Sequence, residues 1–409
     1  MYRQNFPEDP GMHNMADAGS STRVTYRKNP NFIERIGSSL AGIVVGIALI
    51  GVSCYLTFWN EGRAVQTARS LEEGLKSVVT LGSAEVVFEE NNGKLVHLSG
   101  PLQTDKFLFD DTYNVAVHAV KLRRSVDMFQ WVEEERKREV NEGSQTREET
   151  TYSYSTEWKS ELVRSSSFYN PNGHHNPESM RVSSQQQTAP DPHVGSFFLS
   201  SGLTGSITNY RKLNPQEKPK DVSVKLLDGV FYHSQDPMHP EVGDLRVTFE
   251  YAGRSGKESA KLGPPDVVSI VAKQQGHSLV HYQTNAGDSL EILYIGDLSA
   301  EEIFAKEQSQ NAMLTWALRG AGWLLMFIGF SCMTSIVNTL VDWLPIVREI
   351  VNFGMATLNF SLSLSLSLSV IALGWIRYRP LLGVTILALA ATPFVLSHLR
   401  RNKKKNRTA

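Results

Sequence analysis

Histidine is the residue type in this chain best placed for metal or acid–base chemistry. His233 and His239 flank Asp236-Pro237, with Glu241 and Asp244 close behind, so two imidazoles and a carboxylate could converge on a cation. His174-His175 form a second pair within the turn-rich stretch 170–177. Prolines and glycines crowd both stretches, and solvated loop histidines are the plainer explanation. A carboxylate pair acting as acid and base needs only proximity. The 36 acidic residues between positions 60 and 319 always include close pairs, and no spacing separates one from a solvated surface. That stretch holds no GxSxG, HExxH, P-loop, GxGxxG or EF-hand sequence. Only two cysteines occur, Cys54 and Cys332, which excludes a disulfide framework, Cys-based zinc sites and CxxC redox chemistry. No catalytic residue, cofactor or metal site is assigned.

The elements that would position such groups are mostly membrane helices. Whole-chain averages conceal this: 409 residues, 41% hydrophobic, with 41 Lys+Arg against 42 Asp+Glu, resemble an ordinary soluble protein of two or three domains. Four stretches nevertheless lack any charged side chain: Gly37–Trp59, Gly320–Val341, Ile350–Ile376 and Pro380–Leu399. Each reaches the ~20 residues that a helix needs to cross a ~30 Å hydrocarbon core. The first is too long for a signal-peptide core and should remain as an anchor. With no acid or base inside any span, transport through this chain alone is disfavoured.

Charge sets the orientation. Residues 1–59 carry 5 basic and 4 acidic side chains, residues 60–318 carry 26 and 36, and residues 319–409 carry 10 and 2. Arg23, Arg27, Lys28 and Arg35 precede the first span, and Arg400, Arg401, Lys403, Lys404, Lys405 and Arg407 follow the last. The positive-inside rule puts both tails in the cytosol, and four crossings are consistent with that. The expected order is a tail 1–36, a span 37–59, a lumenal block 60–319, a span 320–341, a cytosolic loop 342–349, a span 350–376, a lumenal turn 377–379, a span 380–399 and a basic tail 400–409. Arg35 and the basic tail are read as topology anchors, with binding of anionic lipid as a second role for the tail. The balanced total charge gives no reason to expect direct nucleic-acid binding.

The block reads as an α+β domain dominated by antiparallel strands. A helix is expected over Glu61–Leu81, then a hairpin of Ala84–Glu89 and Lys94–Ser99 around Asn91-Asn92-Gly93. Val115–Trp131 is β-like, and the charge-dense stretch beyond it turns at Asn141-Glu142-Gly143 into a strand with Tyr152, Tyr154 and Thr156 on one face. Further strands are expected at Val222–Leu227, Leu245–Tyr251, Val267–Lys273, Ser278–Tyr282 and Leu290–Ile295, and a helix over Ala300–Leu314. No N-x-S/T sequon lies in the block, so no N-glycan is expected.

The spans carry small residues at helical spacing. Gly42 and Gly46 form a GxxxG pair with Ser38 extending the face, and Ser361, Ser365 and Ser369 recur every four residues in the third span. Such faces allow close helix packing, either within the chain or between copies in a homo-oligomer.

Several segments together resemble the transmembrane protein 43 family, also called LUMA. They are Asn60-Glu61-Gly62-Arg63-Ala64, Val120-Lys121-Leu122-Arg123-Arg124, Gln130-Trp131-Val132-Glu133, Tyr152-Ser153-Tyr154 with Glu157-Trp158, Phe197-Phe198-Leu199-Ser200-Ser201-Gly202-Leu203, Pro240-Glu241-Val242-Gly243-Asp244-Leu245-Arg246-Val247 and Leu340-Val341-Asp342-Trp343. The resemblance runs from Asn31 to the basic tail. It implies a multi-pass protein of the endoplasmic reticulum and inner nuclear membrane that self-associates through its spans, partners emerin and lamins, and organises nuclear-envelope complexes. Innate-immune scaffolding and gap-junction modulation are also implied. The expectation is therefore a multispan α-helical membrane protein, with four transmembrane helices and a large strand-rich α+β lumenal domain between the first two, acting as a non-enzymatic scaffold. The alternative is a lumenal enzyme or ligand-binding module without a recognisable motif.

Overall fold

The computed structural model describes residues 20–381 apart from 30, 144, 257–261 and 342–344, together with Thr385. Two compact units are present. One takes in the chain up to Asn29, Gln103–Pro192 and Ile207–Pro265; the other takes in Pro30–Leu102, His193–Ser206 and the chain from Asp266 onward.

The first unit is built on an eight-stranded sheet. Its spine is a long hairpin in which Ala119–Glu142 pairs with Gln145–Lys159, turning at Gly143 with φ +74°. The two halves of the hairpin differ. From Ala119 to Gln130 side chains alternate inward, burying Leu122, Val126 and Met128, whereas the Glu- and Arg-rich stretch beyond Glu133 is exposed. Leu245–Arg254 pairs with the inner half along its whole length. The core beneath gathers Tyr113, Phe231 and Phe249, all fully buried, with ring centroids 5.0 to 5.9 Å apart. Arg124 is tied to the buried Asp110 at 2.7 Å.

One edge strand comes from an unexpected place. The tail 1–36 was expected to stand apart from the block, yet Ser21–Lys28 runs antiparallel to Gln145–Tyr152, from Ser21 opposite Tyr152 to Lys28 opposite Gln145. Thr22, Val24 and Tyr26 are good strand formers, and an unpaired edge of the hairpin offers a full row of hydrogen bonds.

The second unit combines long helices with a seven-stranded sheet. Helix α1 (Phe32–Ser77) is one continuous 46-residue element, about 70 Å long, so the expected first span and the expected helix after it are a single rod. Helix α2 (Ser201–Ser206) is a single short turn on the sheet, and α3 (Ala300–Val341) and α4 (Pro345–Tyr378) complete the helical part. Among the described residues three helices, α1, α3 and α4, are long and apolar enough to cross a membrane. The fourth expected span, Pro380–Leu399, lies almost wholly outside the described residues, as does the basic tail 400–409.

The expected hairpin around Asn91-Asn92-Gly93 does not form. The turn is real, with Gly93 at φ +83°, but its N–H goes to Gln274 O at 2.8 Å. Leu95–Gln103 pairs with Val267–Gln275, which leaves 84–89 outside any sheet apart from the start of a 3-10 turn. A partner some 170 residues away, itself buried on both faces, outcompetes the local one. Over this sheet lie α1 and α3, where Leu71, Ile303 and Phe304 pack with Leu95, Val271 and Leu290. Helices α1 and α3 thus continue without a break from their apolar stretches into a folded core.

Candidate functional site at a three-helix junction

The chemistry-bearing histidines do not converge. His233 Nε2 lies 2.8 Å from the hydroxyl of Tyr113, and burial pushes its imidazole below the usual value. His239 is exposed and meets Asp236 at 2.8 Å, while Glu241 takes part through its backbone N–H, which bonds Asp244. His174 is buried against Tyr154, centroids 3.9 Å apart, and bonds the Asn170 carbonyl; His175 is exposed. Among the described residues no group of three His, Cys, Asp or Glu is arranged to hold a metal ion. A cleft of about 750 Å³ in the first unit is walled by Phe107, Val115, Val117, Leu213 and Pro215 and includes none of His233, His239 or Glu241.

The concentrated polar chemistry lies instead where α1, α3 and α4 meet. Glu61 is 2% exposed, and its carboxylate accepts three hydrogen bonds. Arg319 of α3 donates Nε to Oε1 at 2.6 Å and Nη2 to Oε2 at 2.8 Å, and Trp375 of α4 donates Nε1 to Oε2 at 2.9 Å. The Arg319 guanidinium also sits 4.7 Å from the Trp316 ring and 5.7 Å from that of Trp375. Gly374 makes the approach possible, since a Cβ there would come within 2.8 Å of the Glu61 side chain.

A second layer is built on Asn60 and Arg63, which flank Glu61 on α1. Arg63 donates to Asn311 Oδ1 at 3.0 Å, to Asn60 Oδ1 at 3.2 Å and to Thr315 Oγ1 at 3.1 Å. Asn60 and Asn311 return their amides to the carbonyls of Thr315 and Ala64. With its lone pairs engaged by a bidentate arginine and an indole, Glu61 is suited to holding helices in register rather than to moving a proton.

The packing faces of the spans are partly those expected. Gly42 and Gly46 face α3: a Cβ at Gly42 would meet the Cys332 carbonyl at 3.2 Å, and one at Gly46 would meet the Gly329 carbonyl at 2.5 Å. The GxxxG face is thus filled from within the chain. Ser38 does not extend it, being exposed and bonded to the Arg35 carbonyl. Its neighbour Ser39 takes that place, 3.0 Å from Thr339. The third span shows a similar shift. Ser361, Ser365 and Ser369 are exposed, and Ser363 and Ser367 are buried with Asn359, whose amide bonds Thr334 at 2.8 Å. Alternating Ser and Leu contains two series at four-residue spacing, and packing on α3 selects the other one. Arg35 lies in the first turns of α1.

The junction had a signal in the sequence that spacing of catalytic types could not reveal. Glu61 is the first charge after the first span and Arg319 the last before the second, so antiparallel neighbours bring them to one level. Trp375, near the end of the third span, reaches that level as well.

The model of the family described as transmembrane protein 43 matches residues 128–380. The chain is 46% identical to transmembrane protein 43 of Homo sapiens over 385 residues, covering 94% of this chain and 96% of that protein. The Mus musculus protein matches at the same identity and coverage. The transmembrane protein 43 homolog of Drosophila melanogaster is 36% identical over 363 residues, covering 85% of this chain and 93% of its own length. No solved structure matches.

Proposed function

Because the chain belongs to the transmembrane protein 43 family, we propose that it is a non-enzymatic scaffold of the endoplasmic reticulum and inner nuclear membranes that organises protein complexes there and retains emerin, with lamins as further partners. Both tails face the cytosol or nucleoplasm in this reading, and the block 60–319 lies in the lumen.

One observation carries it. Helices α1 and α3 pass uninterrupted from the apolar spans into the core formed by Leu71, Leu95, Val271, Leu290, Ile303 and Phe304, and the Glu61–Arg319–Trp375 junction ties α4 to them. In the second unit the helices and the sheet share one core, which suits a platform better than an enzyme that must open and close. Self-association through the spans belongs to the same proposal. It must use faces other than Gly42 and Gly46, which α3 occupies.

The test is emerin mobility at the nuclear rim, measured by photobleaching in cells depleted of the protein. Re-expression of the full chain should restore slow recovery, whereas Arg319→Ala, which opens the junction, should restore it poorly. Unchanged emerin mobility on depletion counts against the reading.

A further inference from the structure

A cleft of about 550 Å³ opens on the second unit beside the junction, walled by α1, the end of α4 and the turn 284–288. Its α1 wall is a stripe at three- and four-residue spacing: Trp59, Gly62, Gln66 and Arg69, with Arg63 beside it. Tyr378 closes one end, its ring packed so tightly on Gly62 that a Cβ there would come within 2.7 Å. Arg69 donates to the Tyr378 carbonyl at 3.1 Å.

The opposite wall is preformed. Glu73 accepts from the backbone N–H groups of Asn285 and Ala286, Ser70 accepts from Thr284 and Asp288, and Gln66 donates to Asp288 at 2.6 Å. Polar groups of both signs therefore line the space, two guanidiniums on α1 and the Asp288 carboxylate across from them. Arg63 has a buried Nε–H with no partner among the described residues, although its other nitrogens are engaged in the junction.

The level of the cleft identifies its surroundings. Trp59, Trp316, Trp375 and Tyr378 lie together where the uncharged spans end, as an interfacial aromatic belt does. The stripe also continues into the apolar part of α1: Trp59 is 47% exposed, Tyr55 72% and Val52 59%, so an outward-facing apolar track leads up to the arginines. A free phosphate would use the arginines and leave that track without a purpose.

We propose that this cleft binds the headgroup of a membrane glycerophospholipid, its phosphate held by Arg69 with the Arg63 guanidinium adding positive charge beside it, and an acyl chain along Trp59, Tyr55 and Val52. Asp288 lies across from the phosphate position and favours a headgroup that also carries an amine.

The test uses the full-length protein in phosphatidylethanolamine/phosphatidylcholine nanodiscs, released into detergent and weighed by native mass spectrometry. Wild type should retain phospholipid, and Arg69→Gln should retain it about tenfold more weakly, the loss of one charge-assisted hydrogen bond. Arg69→Lys, keeping the charge, should recover part of the binding, and an unchanged melting temperature in both variants separates this from misfolding. Millimolar inorganic phosphate should not displace the lipid. Equal retention by wild type and Arg69→Gln overturns the site, and displacement by inorganic phosphate alone overturns its assignment to lipid.

Discussion

Arg319 grips Glu61 through two parallel hydrogen bonds of 2.6 and 2.8 Å, joining α3 to α1 at the level where both leave the apolar core of the spans. The pair is shielded on one side by Trp316 and capped on the other by the Trp375 indole. Removing either partner leaves a charge with little access to water. Arg319→Ala or Glu61→Ala should destabilise the chain by about 3–5 kcal/mol. Thermal melting in detergent checks this, and the double variant Glu61→Gln/Arg319→Met should cost well under the sum of the single changes.

The close approach of α1 to α3 predicts an outcome at Gly46. A leucine side chain there must displace the Gly329 carbonyl and Met333, and main chain cannot yield as a side chain tip does. Gly46→Leu should cost about 1–3 kcal/mol or more and lower the yield of folded monomer. Size-exclusion profiles should show loss of the monomer fold as well as any change in association.

The third span provides a paired comparison. Ser363→Leu forces volume into the fully buried α4 face, whereas Ser361→Leu adds apolar surface on the exposed one. The first should destabilise by about 1–3 kcal/mol, and the second should stay within about 0.5 kcal/mol. Equal melting shifts would reassign the packing face.

His233 makes the first unit sensitive to acid. Burial holds its folded-state imidazole below the ordinary value, so the neutral form is favoured and the unfolded chain protonates first as pH falls. Stability from this group is intact above about pH 6.5 and declines as pH drops from there through the folded value, then levels off. His233→Gln should flatten that limb in a pH series of melting curves. Tyr113, whose hydroxyl is pushed up to about 12 mainly by burial, stays neutral throughout and keeps its bond to His233 above the transition.

The strand Ser21–Lys28 sets up a competition with the first span. If Gly37–Trp59 crosses a bilayer straight, the strand and its partner Gln145–Tyr152 face opposite sides. Burial of 23 apolar or uncharged residues outweighs eight pairings of a polar edge strand. Trypsin added outside sealed microsomes should therefore cut at Arg23 or Arg27 and spare residues 60–319. Protection of both regions would mean that the strand stays on the sheet and α1 does not cross there.

Much of the architecture was legible because its causes are local or additive. Runs of uncharged residues identify α1, α3 and the apolar part of α4, and the strands expected at Leu245–Tyr251 and Val267–Lys273 match Leu245–Arg254 and Val267–Gln275 within a few residues. The hairpin at Asn141-Glu142-Gly143 followed from turn chemistry. The expected hairpin at Asn91-Asn92-Gly93 used the same signal and failed, because Val267–Gln275 offered Leu95–Gln103 a partner buried on both sides. Ser38 missed the packing face by one residue and the Ser361 series by two, since helical spacing gives a period but no phase.

Composition and spacing alone determined that this chain is a membrane protein with a large strand-rich block between its first two spans. They also located its charge asymmetry and the small residues of its spans. Tertiary structure decided which of those small residues face a neighbour, that Glu61, Arg319 and Trp375 share one site across some 315 residues, and that a cleft with two arginines opens beside them. The reason is physical. Hydrophobic period and length act along the chain, where sequence displays them, whereas an ion pair or a cleft depends on the rotation of three helices about their axes, which only their mutual packing sets.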